Sequence, residues 1–160
     1  DEYLVFSQLV EFDVLYALPQ WVHAVYPTGS PLGETPTLRL RDCLDHPLVL
    51  PTATYGVRNL LELAATSIGR KLVPTVETDS FDLIRHYVTQ ENAVGFQIPI
   101  GLKPEQDAGF GHRPLADRDV RPGQLLLGQL KGRALPVASA KFGQQLVAAL
   151  EALAPKQAPE

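Results

Sequence analysis

Apolar residues recur along the chain in short runs separated by proline, glycine and charged residues, a pattern typical of alternating strands and helices. Most runs are rich in β-branched and aromatic residues, which predicts strands. A cluster of proline and glycine at 27–31 ends the third run, within which Trp21 is expected to pack as a strand residue. The predicted strands are 4–6, 12–18, 21–26, 46–51, 72–77, 93–98, 113–118 and 124–130.

Three other stretches place apolar residues at the spacing of a helix face. The first covers 57–68, with Thr54 or a nearby residue as the expected N-cap and Gly69 at the expected C-terminal end. Asp79 and Ser80 are the expected caps of the second helix, and the third is expected to open at Ser139. Two weaker expectations are a helical turn within 37–44 and a loop over 103–111.

The segment 47–98 reads strand–helix–strand–helix–strand, which predicts parallel pairing with helical crossovers. In such sheets ligands bind beyond the carboxyl ends of the strands, where helix N-termini direct N–H groups outward. Thr52, Thr54 and Tyr55 lie at this position between the strand 46–51 and the following helix. Two hydroxyls beside a helix N-terminus favour a small anion, and a carboxylate is our hypothesis.

Composition excludes several classes of protein. The 160 residues are 45% hydrophobic and 20% charged, which predicts a folded core rather than disorder. The formal net charge of −4 argues against direct contact with nucleic acid, which needs a clustered basic surface. The single cysteine, Cys43, rules out an internal disulfide framework and is expected to be buried. No apolar run is long enough to cross a membrane, and the opening residues are not expected to be an export leader.

Catalytic and metal motifs are not found in the sequence. The four histidines, at 23, 46, 86 and 112, lack the spacing of a metal pair, and there is no G-x-S-x-G nucleophile motif. Gly109-Phe110-Gly111 precedes no predicted helix, so it does not indicate a nucleotide loop. The charged run Asp117-Arg118-Asp119 is expected to be solvated. We therefore predict no enzyme, no cofactor and no metal site.

Four stretches, in this order, resemble the effector-binding domain of LysR-type bacterial transcription regulators. Each motif is weak alone, because it consists of apolar and small residues, but the order is fairly specific. Ser30 stands where the family has a histidine, and Asn92 replaces a glycine of the family's glycine-containing strand motif. The stretches are 25–33, 38–51, 87–99 and 135–142, within an overall similarity from about residue 12 to 153.

The resemblance implies an α/β fold like that of periplasmic binding proteins, with two Rossmann-like lobes joined by crossover strands. Residues 1–34 would form part of lobe I and the first crossover, and 35–115 would form lobe II. Residues 116–154 would form the second crossover and return to lobe I, ending in the last helix, and 155–160 would be a tail. No match exists for the family's opening strand–helix–strand–helix stretch, so lobe I is expected to be incomplete.

The resemblance also implies a small-molecule effector in the cleft between the lobes. By position, the effector-binding residues would be Thr52, Thr54, Tyr55, Phe96 and Gln97, with Ser7 as a weaker candidate. Phe96 has a second interpretation as a core residue, and Thr54 as a helix cap only. DNA would be bound only by a winged helix-turn-helix outside this sequence, and the intact parent would be a cytoplasmic homo-oligomer. The alternative function is the solute-binding protein of a transporter, and an enzyme on the same fold ranks third.

Overall fold

A computed structural model describes residues 11–103 and 109–153. The predicted strand at 4–6, Ser7 and the predicted tail at 155–160 lie outside these residues. The strands are β1 (Phe12–Gln20), β2 (His23–Pro27), β3 (Leu48–Leu50), β4 (Pro74–Glu77), β5 (Val94–Gln97), β6 (Phe110–Pro114) and β7 (Gly123–Leu130). The helices are α1 (Leu40–Cys43), α2 (Gly56–Ser67), α3 (Phe81–Glu91) and α4 (Val137–Leu153), with a 3-10 turn at Pro31–Glu34.

Several predicted boundaries are wrong. Trp21 precedes β2, and its indole Nε1 donates to Asp117 Oδ1 at 3.0 Å instead of the ring packing within a strand. The strand predicted at 113–118 is instead β6, which begins in the segment predicted to be a loop. α4 begins at Val137, two residues before the expected Ser139.

The chain divides into two compact units. Within the described residues, one comprises 20–103 and 109–123, and the other comprises 11–19 and 124–153. The larger unit contains a five-stranded sheet with the order β4-β3-β5-β2-β6. β3 pairs in parallel with both β4 and β5, as the alternation of strands and helices predicts. β2 is antiparallel to β5 and to β6, so it runs against the rest of the sheet.

Each face of this sheet has its own apolar core. One core contains Tyr26, Phe96 and Leu50 together with Leu61 and Ala65 of α2. The other contains Val25 and Val49 together with Ile84 and Val88 of α3. Successive residues of a strand point to opposite faces, so adjacent positions of one strand belong to different cores.

α3 is followed by its C-cap Asn92, whose backbone is left-handed with φ 52°. Asparagine and glycine tolerate this conformation better than other residues, which explains how Asn92 can stand at a glycine position of the motif. The Ser80 side chain accepts a hydrogen bond from Leu83 N at 3.2 Å, so the predicted cap of this helix is confirmed. Gly69, after α2, also has a positive φ of 69°.

In the segment 117–119, Asp117 and Arg118 are exposed as expected, but Asp119 is not solvated. The Asp119 side chain is 6% exposed and accepts two hydrogen bonds of 2.7 Å from the Arg39 guanidinium. The same carboxylate accepts from Leu40 N at 2.9 Å, at the start of α1. The hydrogen bond from Arg39 is the largest cause that lowers the pKa of Asp119. The two residues are 80 positions apart, so their pairing fixes a long-range contact.

The smaller unit contains a two-stranded sheet of β1 and β7 and the helix α4. Lys131 N donates to Glu11 O at 3.0 Å, and the two side chains form an ion pair of 3.2 Å. α4 has no buried residue, and Phe142 on this helix is 65% exposed. Among the described residues, no helix is sufficiently long and apolar to span a membrane.

Candidate functional site

The candidate site is the edge of the five-stranded sheet at which β3, β4 and β5 have their carboxyl ends. These three strands are parallel, so the segments that follow them meet at one edge. β2 runs in the opposite direction and therefore begins at this same edge, at His23. The edge thus collects side chains from both parallel and antiparallel strands.

At the end near β3 and β4, which we call the threonine end, Thr52, Thr54 and Asp79 form a hydrogen-bonded chain. The Thr52 hydroxyl donates to the Asp79 carboxylate, and the Thr52 and Thr54 hydroxyl oxygens lie 2.8 Å apart. Because a hydroxyl has one proton, Thr54 must donate to Thr52. A carboxylate of the protein itself therefore occupies the acceptor position beside these hydroxyls.

Tyr55 joins the same group of residues. Its hydroxyl donates to Asp79 O at 3.2 Å, and its ring packs edge-on against Phe81 with centroids 5.4 Å apart. The backbone of Tyr55, not that of Thr54, is the N-cap of α2, and no side chain caps this helix. The N-cap is therefore the residue next to Thr54, and the Thr54 hydroxyl takes part in the threonine end instead of capping the helix.

Arg58 forms hydrogen bonds with the segments that carry the threonine end. Its side chain is 10% exposed, and Nη1 donates to Pro51 O at 3.1 Å and to Glu77 Oε2 at 2.9 Å. Nε donates to Glu62 Oε1 at 2.8 Å. One buried cation thus ties the segment after β3 to the last residue of β4.

Phe96 and Gln97, the two candidates from β5, point to opposite faces of the sheet. Phe96 is 0% exposed and lies in the core beside α2, so a ligand could reach it only after its neighbours moved. Gln97 is 4% exposed and faces α3, where its Oε1 accepts from Arg85 Nη1 at 3.1 Å. Their assignment to an effector site stays a prediction.

At the other end of the edge, two histidines of neighbouring strands touch. His23 is opposite Gln97 in the β2–β5 register, and its Nδ1 lies 3.0 Å from His112 Nδ1 on β6. A contact between two ring nitrogens needs one proton, because one nitrogen donates and the other accepts. We call His23, His112, Gln97 and Arg85 the histidine end of the edge.

His23 stays neutral over most of the pH range. Burial, the neighbouring His112 and the Arg113 guanidinium lower the pKa of His23 to about 4, with burial as the largest cause. Arg113 donates to His112 O and Gly33 O, so its charge is held close to the pair. The histidine end, which includes Arg85, is thus polar and partly buried, and the Arg113 guanidinium lies close enough to lower the pKa of His23.

The structure brings Thr52, Thr54 and Tyr55 together and places Gln97 at the same edge, whereas Ser7 lies outside the described residues. Sequence reasoning missed the partners of these residues. His23 and His112 are 89 positions apart, and only the antiparallel pairing of β2 with β6 joins them. Among residues 11–103 and 109–153, no three metal-ligating side chains are grouped as a metal site.

Comparison with known proteins identifies the family. The model of the LysR substrate binding domain matches residues 10–151. The chain belongs to this family. The HTH-type transcriptional regulator CysB of Burkholderia cenocepacia is 30% identical over 103 residues, which are 62% of this chain and 33% of CysB.

Solved structures of LysR family proteins share the fold of this LysR substrate-binding domain. HinK from Pseudomonas aeruginosa superposes with a TM-score of 0.73 at 20% identity, covering 91% of this chain and 49% of HinK. The effector-binding domain of QuiR, in complex with shikimate, gives 0.68 at 15% identity, covering 91% of this chain and 68% of QuiR. The predicted α/β fold of the periplasmic-binding-protein type is therefore confirmed. The chain spans about a third of CysB and half of HinK.

Proposed function

We propose that this chain is the effector-sensing part of a LysR-type transcription regulator and binds a small molecule at the carboxyl edge of its five-stranded sheet. The observation that carries the proposal is the grouping of Thr52, Tyr55 and Gln97 at that edge in a LysR substrate-binding domain. DNA would be bound by a helix-turn-helix elsewhere in the regulator. The shikimate complex of the structurally similar QuiR domain supports a small acid as the ligand class.

The family match and the relative CysB favour this function over a transporter's solute-binding protein. We also propose that the chain is not an enzyme. Its one cysteine, Cys43, is fully buried, and burial raises the pKa of the thiol to about 12, which removes it as a nucleophile. A regulator that binds DNA would act in the cytoplasm.

We further propose that lobe II lies within the larger compact unit and that the intact regulator self-associates through α2 and β4. Leu63 on α2 is 62% exposed, and Val73, which precedes β4, is 74% exposed. Exposed apolar side chains on a helix and a neighbouring edge strand are typical of protein–protein contact. Analytical ultracentrifugation of the intact regulator, with and without Leu63→Asp, tests this assignment; an unchanged mass would contradict it.

Thermal unfolding with a panel of small molecules tests the ligand proposal. Shikimate and benzoate supply carboxylates, and benzamide is the uncharged analogue of benzoate. A ligand at 100 times its Kd stabilises the folded state by about 2.7 kcal/mol, which raises Tm by several degrees. We expect carboxylates to raise Tm. Stabilisation by neutral or cationic compounds only would contradict the anion, and no response to any small molecule would contradict sensing.

Thr54→Val locates the bound molecule. This change removes one exposed hydroxyl of the threonine end, so we expect a weaker ligand response with little change in the Tm of the free protein. Thr66→Val, on the exposed side of α2, is the matched control. An equal ligand response in both variants would place the ligand elsewhere.

A further inference from the structure

The hydroxyl protons at the threonine end are used within the protein. Thr52 donates its one proton to Asp79 Oδ1, so the Thr54 hydroxyl, whose oxygen lies 2.8 Å from that of Thr52, donates to Thr52. The Tyr55 hydroxyl donates to the backbone carbonyl of Asp79 at 3.2 Å. These three hydroxyls therefore offer no donor to a ligand unless one of the hydrogen bonds breaks.

Hydrogen-bond acceptors remain free at the same place. A carboxylate has room for about four donors, and a hydroxyl oxygen can accept from about two. Within the described residues, the Asp79 side chain accepts one hydrogen bond, on Oδ1, and the Thr54 side chain accepts none. Both side chains are exposed. The threonine end can thus accept hydrogen bonds from a ligand without losing any of its own.

The charge at this end also favours a donor. Asp79 has no ion-pair partner among residues 11–103 and 109–153, and Arg58 is already paired with two carboxylates, those of Glu62 and Glu77. A ligand carboxylate on the threonine hydroxyls would have to displace Asp79 and would meet its charge. Like charges at hydrogen-bonding distance repel, whereas an N–H or O–H group is attracted to a carboxylate.

We propose that the threonine end binds a hydrogen-bond donor of the ligand, a hydroxyl or ammonium group, and that an acidic ligand directs its carboxylate away from Thr52 and Thr54. This inference rests on the proposed function and deepens it, because it assigns which group of the ligand this end recognises. The sequence alone favours an anion on the two hydroxyls, but in the folded protein Asp79 is that anion.

Three cyclohexane compounds that differ in their polar group test the assignment: trans-cyclohexane-1,2-diol, cyclohexylammonium and cyclohexanecarboxylate. We would follow the threonine methyl signals of the full chain by NMR. Thr52→Ser and Thr54→Ser identify the two signals by their loss and keep the hydroxyls.

The diol or the ammonium should shift both methyl signals in a saturable way. The carboxylate should bind at least about tenfold more weakly, because it cannot donate a hydrogen bond to Asp79. Binding of the diol assigns a hydroxyl as the donor, and binding of the ammonium alone assigns a cation. Equal or tighter binding of the carboxylate, or no shift by any of the three compounds, would overturn the proposal.

Asp79→Asn tests the residue that accepts the donor. Asparagine keeps an acceptor for Thr52 but replaces the charge by an amide that can itself donate, so the preference for a donor over the carboxylate should fall by about tenfold or more. Glu34→Gln is the matched control. It removes one exposed carboxylate just after β2, whose carboxyl end lies at the opposite edge of the sheet, and should leave the preference unchanged.

Equal changes of preference in Asp79→Asn and Glu34→Gln would show a general effect of charge and overturn the assignment. Circular dichroism of each variant verifies the fold. The proposed function fails separately: methyl shifts by the diol without any hit in the small-molecule panel would contradict sensing but retain the donor site. Stabilisation by shikimate with equal binding of the diol and the carboxylate would retain sensing and overturn the donor site.

Discussion

The packing of α3 against β5 can be tested at Gly95, where a single methyl group has no room. An added Cβ would lie 2.5 Å from Ile84 Cγ2, 3.2 Å from Val88 Cγ2 and 3.4 Å from Val49 Cγ1. Carbon atoms pack best at about 3.5–4.0 Å, so Ile84 would have to move by about 1 Å. All three neighbours are 0% exposed and have no solvent to move into.

The expected cost of Gly95→Ala follows from two opposing effects. Overpacking a dense core costs about 1–3 kcal/mol. Replacing glycine by alanine restricts the unfolded chain and returns about 0.4–1 kcal/mol. We therefore expect a net destabilisation of about 1–2 kcal/mol, measured as a lower urea midpoint at an unchanged slope.

Gly56→Ala is the matched control, because it is in the same unit and an added Cβ there meets no atom within 4 Å. This variant should be neutral or slightly more stable than the parent. Ile84→Leu removes the clashing Cγ2, so combining it with Gly95→Ala should recover part of the loss. If Gly95→Ala unfolds at the same urea concentration as Gly56→Ala, the close approach of α3 to β5 is wrong.

Three further predictions concern charged and titratable groups. The folded-state pKa of His23 is about 4, below its value of 6.5 in the unfolded chain, so protons favour unfolding as the pH falls between these values. Stability should drop by up to ~3 kcal/mol over this window, and His23→Gln should flatten the dependence in urea titrations at several pH values. Asp119→Asn should lower the free energy of unfolding by about 2–3 kcal/mol at pH 7. Asp45→Asn, in an exposed ion pair, should lower it by less than ~1 kcal/mol. Equal losses in the two variants would contradict the Arg39–Asp119 assignment. Because the pKa of Asp119 is lowered, its contribution to the free energy of unfolding should be complete above the pH range in which carboxyl groups ordinarily titrate. This contribution should be lost as the pH falls below that range. Arg58→Met should likewise lower the free energy of unfolding by about 2 kcal/mol, and by more than Arg70→Met on the surface. Equal urea midpoints of the two variants would show that the hydrogen bonds to Pro51 and Glu77 add little.

Local patterns predicted much of the larger unit, because its central elements are adjacent in sequence. The alternation of strands and helices over 47–98 predicts the parallel pairing of β3 with β4 and β5, and the structure confirms it. Ser80 and Gly69 show that helix caps and left-handed backbone positions can also be predicted from the local sequence. These features depend on neighbouring residues only, which a single sequence displays directly.

Non-local pairing could not be predicted in the same way. β2 lies between β5 and β6, although about 70 and 85 residues separate it from them, and no periodicity encodes that register. Asp119 was expected to be solvated because its partner Arg39 is equally remote. The candidate site follows the same division: Thr52, Thr54 and Tyr55 form one loop, whereas His23 and His112 meet only in the folded sheet.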